Sequence, residues 1–264
     1  MNLEAICQQV VELAHQVGAF ISQEAASFDV SKLEYKGTNN LVSYVDKEAE
    51  KAIIQGLTGI LPDAGFIGEE GTSDYRSETT NWIIDPLDGT TNFVHGLPPY
   101  AISIALLHEG QLLVGVVYEL NLKECFYAWK GGGAYCNGKP IKVSQASSVN
   151  DSLIATGFPY NAHGKMDIYL AVLKEFMQKS HGVRRLGSAA TDLAYVAAGR
   201  FEAFYEYNLN AWDVAAGILL VQEAGGKVTD FDGKDNYIFG GRLIASGHIG
   251  DDMLKLINKH WKND

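Results

Sequence analysis

Cysteine is scarce in this chain: Cys7, Cys125 and Cys136 stand far apart and odd in number. That pattern excludes a disulfide framework and a cysteine-built zinc site, and predicts a protein of the reducing cytoplasm. Neither Cys125 nor Cys136 opens a cysteine-to-arginine phosphate loop, so a cysteine phosphatase is set aside. The seven histidines occur singly and suggest no zinc site either. Positive charge is also short, with 21 Lys and Arg against 32 Asp and Glu and a net charge of -11. Nucleic-acid surfaces need clustered cations, so no nucleic-acid partner is expected, and an anionic ligand would need help to approach. Nowhere do about 18 apolar residues run together, so no membrane association is expected. The first residues lack the basic start and small-residue cleavage site of a signal peptide, which predicts no export. Internal repeats and low-complexity linkers are missing too.

What is present is the composition of a self-folding globule, 47% hydrophobic and 20% charged over 264 residues. The simplest organisation is one domain over 1–264, sheet-rich to about residue 148 and alternating between helix and strand from about 149. Leu3, Ile6, Val10, Leu13, Val17 and Phe20 recur at helical spacing. A second helix starts near Asp46 as its N-cap, with Ala49, Ile53 and Leu57 as its apolar stripe. The segments 82–84, 101–107, 111–118 and 124–129 read as strands, and their tight links predict an antiparallel meander. Further on, strands are expected at 153–156, 183–186, 201–207 and near Lys227 and Leu243. Helices are expected at 165–179, 189–198, 213–224 and from Asp251.

The most informative stretch is Asp85-Pro86-Leu87-Asp88-Gly89-Thr90-Thr91-Asn92, where an apolar strand gives way to a turn. Proline cannot continue the ladder, so the chain bends between the two carboxylates and aims both to one side, with the Leu87 carbonyl between them. Carboxylate and carbonyl oxygens without nitrogen or sulfur suit a hard cation such as magnesium. The N–H groups of Gly89 and Thr90 follow at once and could hold phosphate oxygens. Ordinary turn chemistry explains an isolated Asp-Pro or Asp-Gly pair equally well. Two more acidic elements alter the balance: Gly68-Glu69-Glu70-Gly71 after a short strand at 66–67, and Trp212-Asp213 at the start of an apolar helix. Taken alone, Asp213 reads as a helix cap.

The runs Trp82-Ile83-Ile84-Asp85-Pro86-Leu87-Asp88-Gly89-Thr90-Thr91-Asn92-Phe93 and Trp212-Asp213-Val214-Ala215-Ala216-Gly217 resemble the two signatures of inositol monophosphatases. Gly68-Glu69-Glu70 resembles their third acidic element, and Lys36 with Asp46 sits at the expected distance upstream. The resemblance runs from about Lys36 to about Ser246 and implies an α+β fold, the layered αβαβα sandwich of the inositol monophosphatase and fructose-1,6-bisphosphatase type. It implies that Glu69, Asp85, Asp88, Asp213 and the Leu87 carbonyl hold two or three Mg2+ ions, with Glu70 a weaker candidate. It gives Asp46 and Thr90 the positioning and activation of the attacking water, with Glu69 beside that water's metal. Gly187, Ser188, Ala189 and Glu206 would line the polyol pocket, with Asp88, Gly89, Thr90 and Lys36 also facing substrate. A small-molecule phosphate monoester as substrate, a homodimer and inhibition by lithium are implied as well. Asn39-Asn40 and Ser43 depart from the usual pattern, and Gly157-Phe158-Pro159-Tyr160 with Arg184-Arg185 look like the bacterial branch.

The expected activity is therefore a Mg2+-dependent phosphate monoester hydrolase in which water attacks phosphorus directly. NADP 2′-phosphate, fructose 1,6-bisphosphate and adenosine 3′,5′-bisphosphate are alternative substrates. Four converging carboxylates would repel by about 4 kcal/mol per close pair at an effective dielectric near 20, and cations would balance them. An aspartyl-phosphate enzyme is disfavoured because its Asp-x-Asp motif is one residue shorter. A non-catalytic, cation-holding binding module is the rival from another class.

Overall fold

The computed structural model describes residues 1–27, 34–37, 40–159 and 163–261, and of residues 34–37, 40–42 and 163 the backbone alone. The chain opens with α1 (Leu3–Ala25), then β1 (Glu34–Gly37) and β2 (Asn40–Val42), a two-stranded antiparallel pair. Next come α2 (Tyr44–Ile60), β3 (Gly65–Gly68), β4 (Thr80–Asp88) and α3 (Thr90–Val94). The strands β5 (Ala101–His108), β6 (Gln111–Glu119), β7 (Glu124–Trp129), β8 (Gly133–Cys136) and β9 (Lys139–Ile141) follow. Together β3 to β9 form a seven-stranded sheet in chain order. The expected meander is there from β4 onward, while β3 joins β4 in parallel.

The remainder comprises β10 (Leu153–Thr156), α4 (Met166–Lys179), β11 (Gly182–Arg184), α5 (Ala189–Ala197), β12 (Ala203–Tyr207), α6 (Ala211–Glu223), β13 (Lys227–Thr229), β14 (Arg242–Ser246) and α7 (Gly250–Asn258). Its strands form a five-stranded sheet ordered β11-β10-β12-β14-β13.

Three apolar clusters stack these elements into five layers. Ile6, Val10 and Val17 of α1 and Ile53 and Leu57 of α2 pack on Trp82, Ile84, Ile104 and Val116. The opposite face of that sheet, with Ile83, Ala105 and Val117, meets Leu193 of α5 and Ile218 and Leu220 of α6, which in turn meet Phe204 and Leu243 of the second sheet. Tyr205 and Ile244 on the far face meet Tyr169, Val172 and Phe176 of α4 and Met253 and Ile257 of α7. The order is helix, sheet, helix, sheet, helix. Strands covered on both faces read as unbroken apolar runs, which is why 101–107 and 111–118 stand out in the sequence. Helix α6, enclosed between two sheets, is apolar nearly all round for the same reason.

Two expected helix starts are corrected. Ser43, not Asp46, is the N-cap of α2, and Asn210, not Asp213, is the N-cap of α6. In each case the aspartate is the third helical residue and accepts the cap's own backbone N–H, the reciprocal half of a capping box. The first signature strand is also longer than expected. It runs through Pro86 to Asp88 because a register shift between Asp85 and Asp88 leaves the proline, which has no N–H, out of the ladder.

Candidate active site

Side chains alternate along a strand, so residues three apart should face opposite ways. Asp85 and Asp88 escape that rule because Asp85 pairs with Ser103 and Asp88 with Ala101, three steps against two. The bulge turns both carboxylates toward the middle helical layer, while Leu87 packs among the residues under α1 and α2. Asp85 is buried and its Oδ1 accepts the Leu87 N–H at 3.0 Å. Gly89 follows with φ +95°, a left-handed conformation that favours glycine. A Cβ there would also stand 3.0 Å from the Pro99 carbonyl and 3.2 Å from that of Gly187. Buried Asn92 braces the corner, its side-chain amide donating to Pro99 O and Leu186 O at 2.8 Å each.

Two helix starts and a strand end bring in the remaining acids. Asp46 Oδ2 accepts the Ser43 N–H at 2.8 Å and its hydroxyl at 2.6 Å, leaving Oδ1 to accept the Thr90 hydroxyl at 2.9 Å. That hydroxyl also lies 3.1 Å from the Leu87 carbonyl. Asp213 Oδ2 accepts the Asn210 N–H at 2.6 Å. The parallel pairing of β3 with β4 sets Gly68 beside Ile84, and the Glu69 N–H donates to Ile84 O at 3.2 Å, so Glu69 emerges next to Asp85.

A cavity of about 160 Å³ is lined by Glu69, Asp88, Gly187, Ser188, Ala189, Glu206 and Asp213 among others, so it gathers seven of the expected site residues. That is smaller than the roughly 300–1,000 Å³ of drug-sized pockets and fits a compact ligand. Glu206 reaches it because strand alternation puts it on the Phe204 side of β12, toward α5 and α6. Ser188 turns its hydroxyl to Asp88 Oδ2 at 2.7 Å, and the Ala190 N–H joins at the same distance, so Asp88 ties the first sheet to α5. Asp85, Asp46, Thr90, Leu87 and Gly89 are not among the cavity's lining residues. Lys36 lies on β1 with its side chain outside the described residues, Asn39 is outside them altogether, and so is Tyr160 of the bacterial-branch segment. Glu70 is not part of the lining.

The electrostatics show the strain of this assembly. Burial, then the charges of Glu69, Asp88 and Asp213, hold the Asp85 carboxyl well above the usual range. Burial pushes Asp88 up to about 6 against its bonds from Ser188 and Ala190. Burial and then Asp88 push Asp213 up to about 7, and burial with Asp213 pushes Glu206 up to about 8. Asp46 is raised by burial despite three bonds from Ser43 and Thr90.

Two further residues complete the pocket: Asp192, which the sequence did not single out, and Arg185, read there only as a mark of the bacterial branch. Asp192 of α5 is buried, its Oδ1 has no hydrogen-bond partner, and burial followed by Glu206 holds its carboxyl well above the usual range. Arg185 is the single basic side chain among the described lining residues, and its charge counters Glu206, Asp192 and Asp88. An acid three residues into an apolar helix looks like a solvated position, so only the three-dimensional placement reveals Asp192.

Among the described residues, no three acidic, histidine or cysteine side chains close into a cage around a metal by themselves. The donor set nevertheless fits a hard cation. It is all oxygen, its repulsion calls for positive charge, and magnesium is ordinarily held by one or two carboxylates together with water and substrate phosphate rather than by an all-protein cage. Among the described residues no helix is long and apolar enough to cross a membrane.

Residues 2–262 match the inositol monophosphatase family. An inositol-1-monophosphatase of Mesorhizobium japonicum is 40% identical over 261 residues, covering 98% of each chain. The Nus factor SuhB of Escherichia coli is 42% identical over 236 residues, 89% of this chain and 88% of that one. The crystal structure of the extragenic suppressor protein suhB from Bartonella henselae superposes with a TM-score of 0.91 at 39% identity, covering 97% of this chain and all of that one. With the acidic corners, the five layers and a match spanning nearly every residue, the chain belongs to the inositol monophosphatase family.

Proposed function

We propose that the chain is a Mg2+-dependent phosphate monoester hydrolase acting on a small polyol phosphate such as inositol 1-phosphate, by direct attack of water on phosphorus. The observation that carries this reading is the Asp46–Thr90 hydrogen bond of 2.9 Å beside the carboxylates of Glu69, Asp85, Asp88 and Asp213. Glu69, Asp85, Asp88, Asp213 and the Leu87 carbonyl would hold two or three Mg2+ ions. When bound, these cations would neutralise the phosphate and make a water molecule acidic enough to react near neutral pH. Thr90 commits its proton to Asp46 Oδ1, so its oxygen is left to accept a hydrogen bond from the attacking water. As that water loses a proton, Thr90 takes it while passing its own to Asp46. Ser43 keeps the Asp46 carboxylate oriented for the transfer. A positioned base of this kind contributes roughly 100- to 10,000-fold.

Gly89 and Thr90 would meet phosphate oxygens, and Gly187, Ser188, Ala189 and Glu206 would meet the polyol, with Lys36 completing the substrate contacts. One catalytic domain over 1–264, a homodimer, lithium inhibition and a cytoplasmic location belong to the same reading. The test is phosphate release from inositol 1-phosphate, fructose 1,6-bisphosphate, NADP and adenosine 3′,5′-bisphosphate, with and without Mg2+. Fastest metal-dependent release from inositol 1-phosphate, lost in Asp88→Asn, is expected. NADP or fructose 1,6-bisphosphate as the best substrate would keep the chemistry and reassign the specificity, whereas metal-independent or absent release would sink the reading.

The name of the Escherichia coli relative supports a second reading, a Nus-factor role outside hydrolysis. Growth of a gene-deleted strain restored by Asp88→Asn would favour that role.

A further inference from the structure

Glu50 is a fully buried carboxylate one helical turn beyond Asp46, on the same face of α2. Its oxygens are engaged with one short segment. Oε2 accepts the Glu70 N–H at 2.9 Å, while Oε1 accepts the Thr72 N–H at 2.8 Å and the Thr72 hydroxyl at 2.7 Å. Those three donors belong to the turn that leaves β3, and that turn carries Glu69. The fit is close, since a Cβ at Gly68 would stand 2.4 Å from Glu50 Oε2.

A buried carboxylate under a turn can serve general stability alone, but the position of this one is more specific. Glu69 is held on one side by its N–H on Ile84 O of β4, and on the other by the Glu70 and Thr72 bonds to α2. One turn earlier, α2 holds Thr90 through Asp46. A helical turn rises about 5.4 Å, so one rigid helix sets the separation between the β3 corner and the β4 corner. Asp46 and Glu50 thus divide a common task, each anchoring one of two acidic corners that must face each other across the same pocket.

We infer that Glu50 is a positioning residue for the Glu69 carboxylate: by gripping the turn at Gly68 to Thr72 it holds Glu69 toward Asp88 and Asp213 and so sets the affinity of that corner for a divalent cation. This deepens the metal-dependent reading above and rests on it. Groups that orient metal ligands from behind typically change metal affinity roughly 10- to 100-fold when lost. Thr72 contributes one neutral hydroxyl bond, for which about three- to tenfold is expected.

The test is calorimetric titration of the full chain with Mn2+ alone, which reads binding without turnover. Glu50→Gln keeps the size of the side chain but faces an N–H donor with an amide NH2. Asp230→Ala is the control, because buried Asp230 Oδ1 accepts two backbone N–H groups, of Asp232 and Lys234 at 2.8 Å each, in a turn that does not line the pocket, and alanine removes both bonds. Glu50→Gln should weaken Mn2+ binding 10- to 100-fold and Thr72→Val three- to tenfold. Asp230→Ala should leave binding unchanged even where its thermal midpoint falls as far. In Glu50→Gln, kcat at saturating metal should return toward wild type, because Glu50 touches no substrate. Wild-type affinity in both Glu50→Gln and Thr72→Val, or equal weakening in Asp230→Ala, overturns the inference and leaves the metal reading standing. A wild-type chain that takes up no Mn2+ overturns the metal reading first. Should Glu50→Gln fail to fold, Thr72→Val and Gly68→Ala decide the matter by the same titration.

Discussion

Replacing Asp213 by asparagine should stabilise the metal-stripped protein while abolishing its response to magnesium. The folded Asp213 carboxyl is raised from 3.8 to about 7, by burial and by Asp88. A carboxylate raised in the folded state leaves stability intact below its unfolded pKa near 4, and that stability is lost as pH rises through about 7. Wild type should therefore weaken between about pH 4 and pH 8 in chelator, and Asp213→Asn should escape its share of that loss. Three units correspond to about 4 kcal/mol. Asp213 is partly open to the pocket and shares the repulsion with Asp88, so half of that, about 2 kcal/mol, is the fair expectation. For a chain of this size it amounts to roughly 4 °C in thermal midpoint near pH 8, narrowing near pH 5. The amide oxygen can still accept the Asn210 N–H, so the start of α6 is retained. Scanning calorimetry in chelator and then in excess magnesium measures both effects. A variant no more stable than wild type near pH 8, or one equally stabilised by magnesium, would refute the convergence of these carboxylates.

Asp46→Asn keeps an acceptor for Ser43 but not a base, so kcat should fall roughly 100- to 10,000-fold while Mn2+ affinity, measured by titration, stays within about threefold. Ser188→Ala removes one of the two donors to Asp88 Oδ2 and should lift that carboxyl further above about 6; the acid limb of Mn2+ binding, followed across pH, should then move to higher pH. Gly217→Ala tests the middle layer, where a new Cβ would stand 2.4 Å from Leu193 Cβ. A loss of about 1–3 kcal/mol in unfolding free energy is expected from urea denaturation, with partial rescue by Leu193→Ala.

Much of this arrangement was legible in the sequence because its periodicities are strong. The stripe from Leu3 to Phe20, the apolar strands and the spacing of Asp85 and Asp88 each follow from local chemistry. Asp46 and Asp213 were harder to read, because an acid near a helix start is ordinarily a cap. The sharper signal was there in Ser43-x-x-Asp46 and Asn210-x-x-Asp213, where the residue three before each aspartate is itself a strong cap former. The parallel pairing of β3 with β4 has no local signature, since it spans the segment between Gly68 and Thr80, and with it goes the placing of Glu69. Glu50 and Asp192 were invisible for another reason: single acids on amphipathic or apolar helices look solvated until burial is known.

The double employment of Asp46 and Asp213 bears on how relatives diverge. Each aspartate gives one oxygen to starting a helix and, on the function proposed above, keeps the other for chemistry, so selection for folding alone would preserve both. A descendant that had abandoned hydrolysis for some scaffolding duty would keep these letters in place. Their persistence in a distant cousin is thus a poor guide to whether that cousin still turns over substrate, whereas loss of Thr90, which starts only a five-residue helix, would be the more telling change.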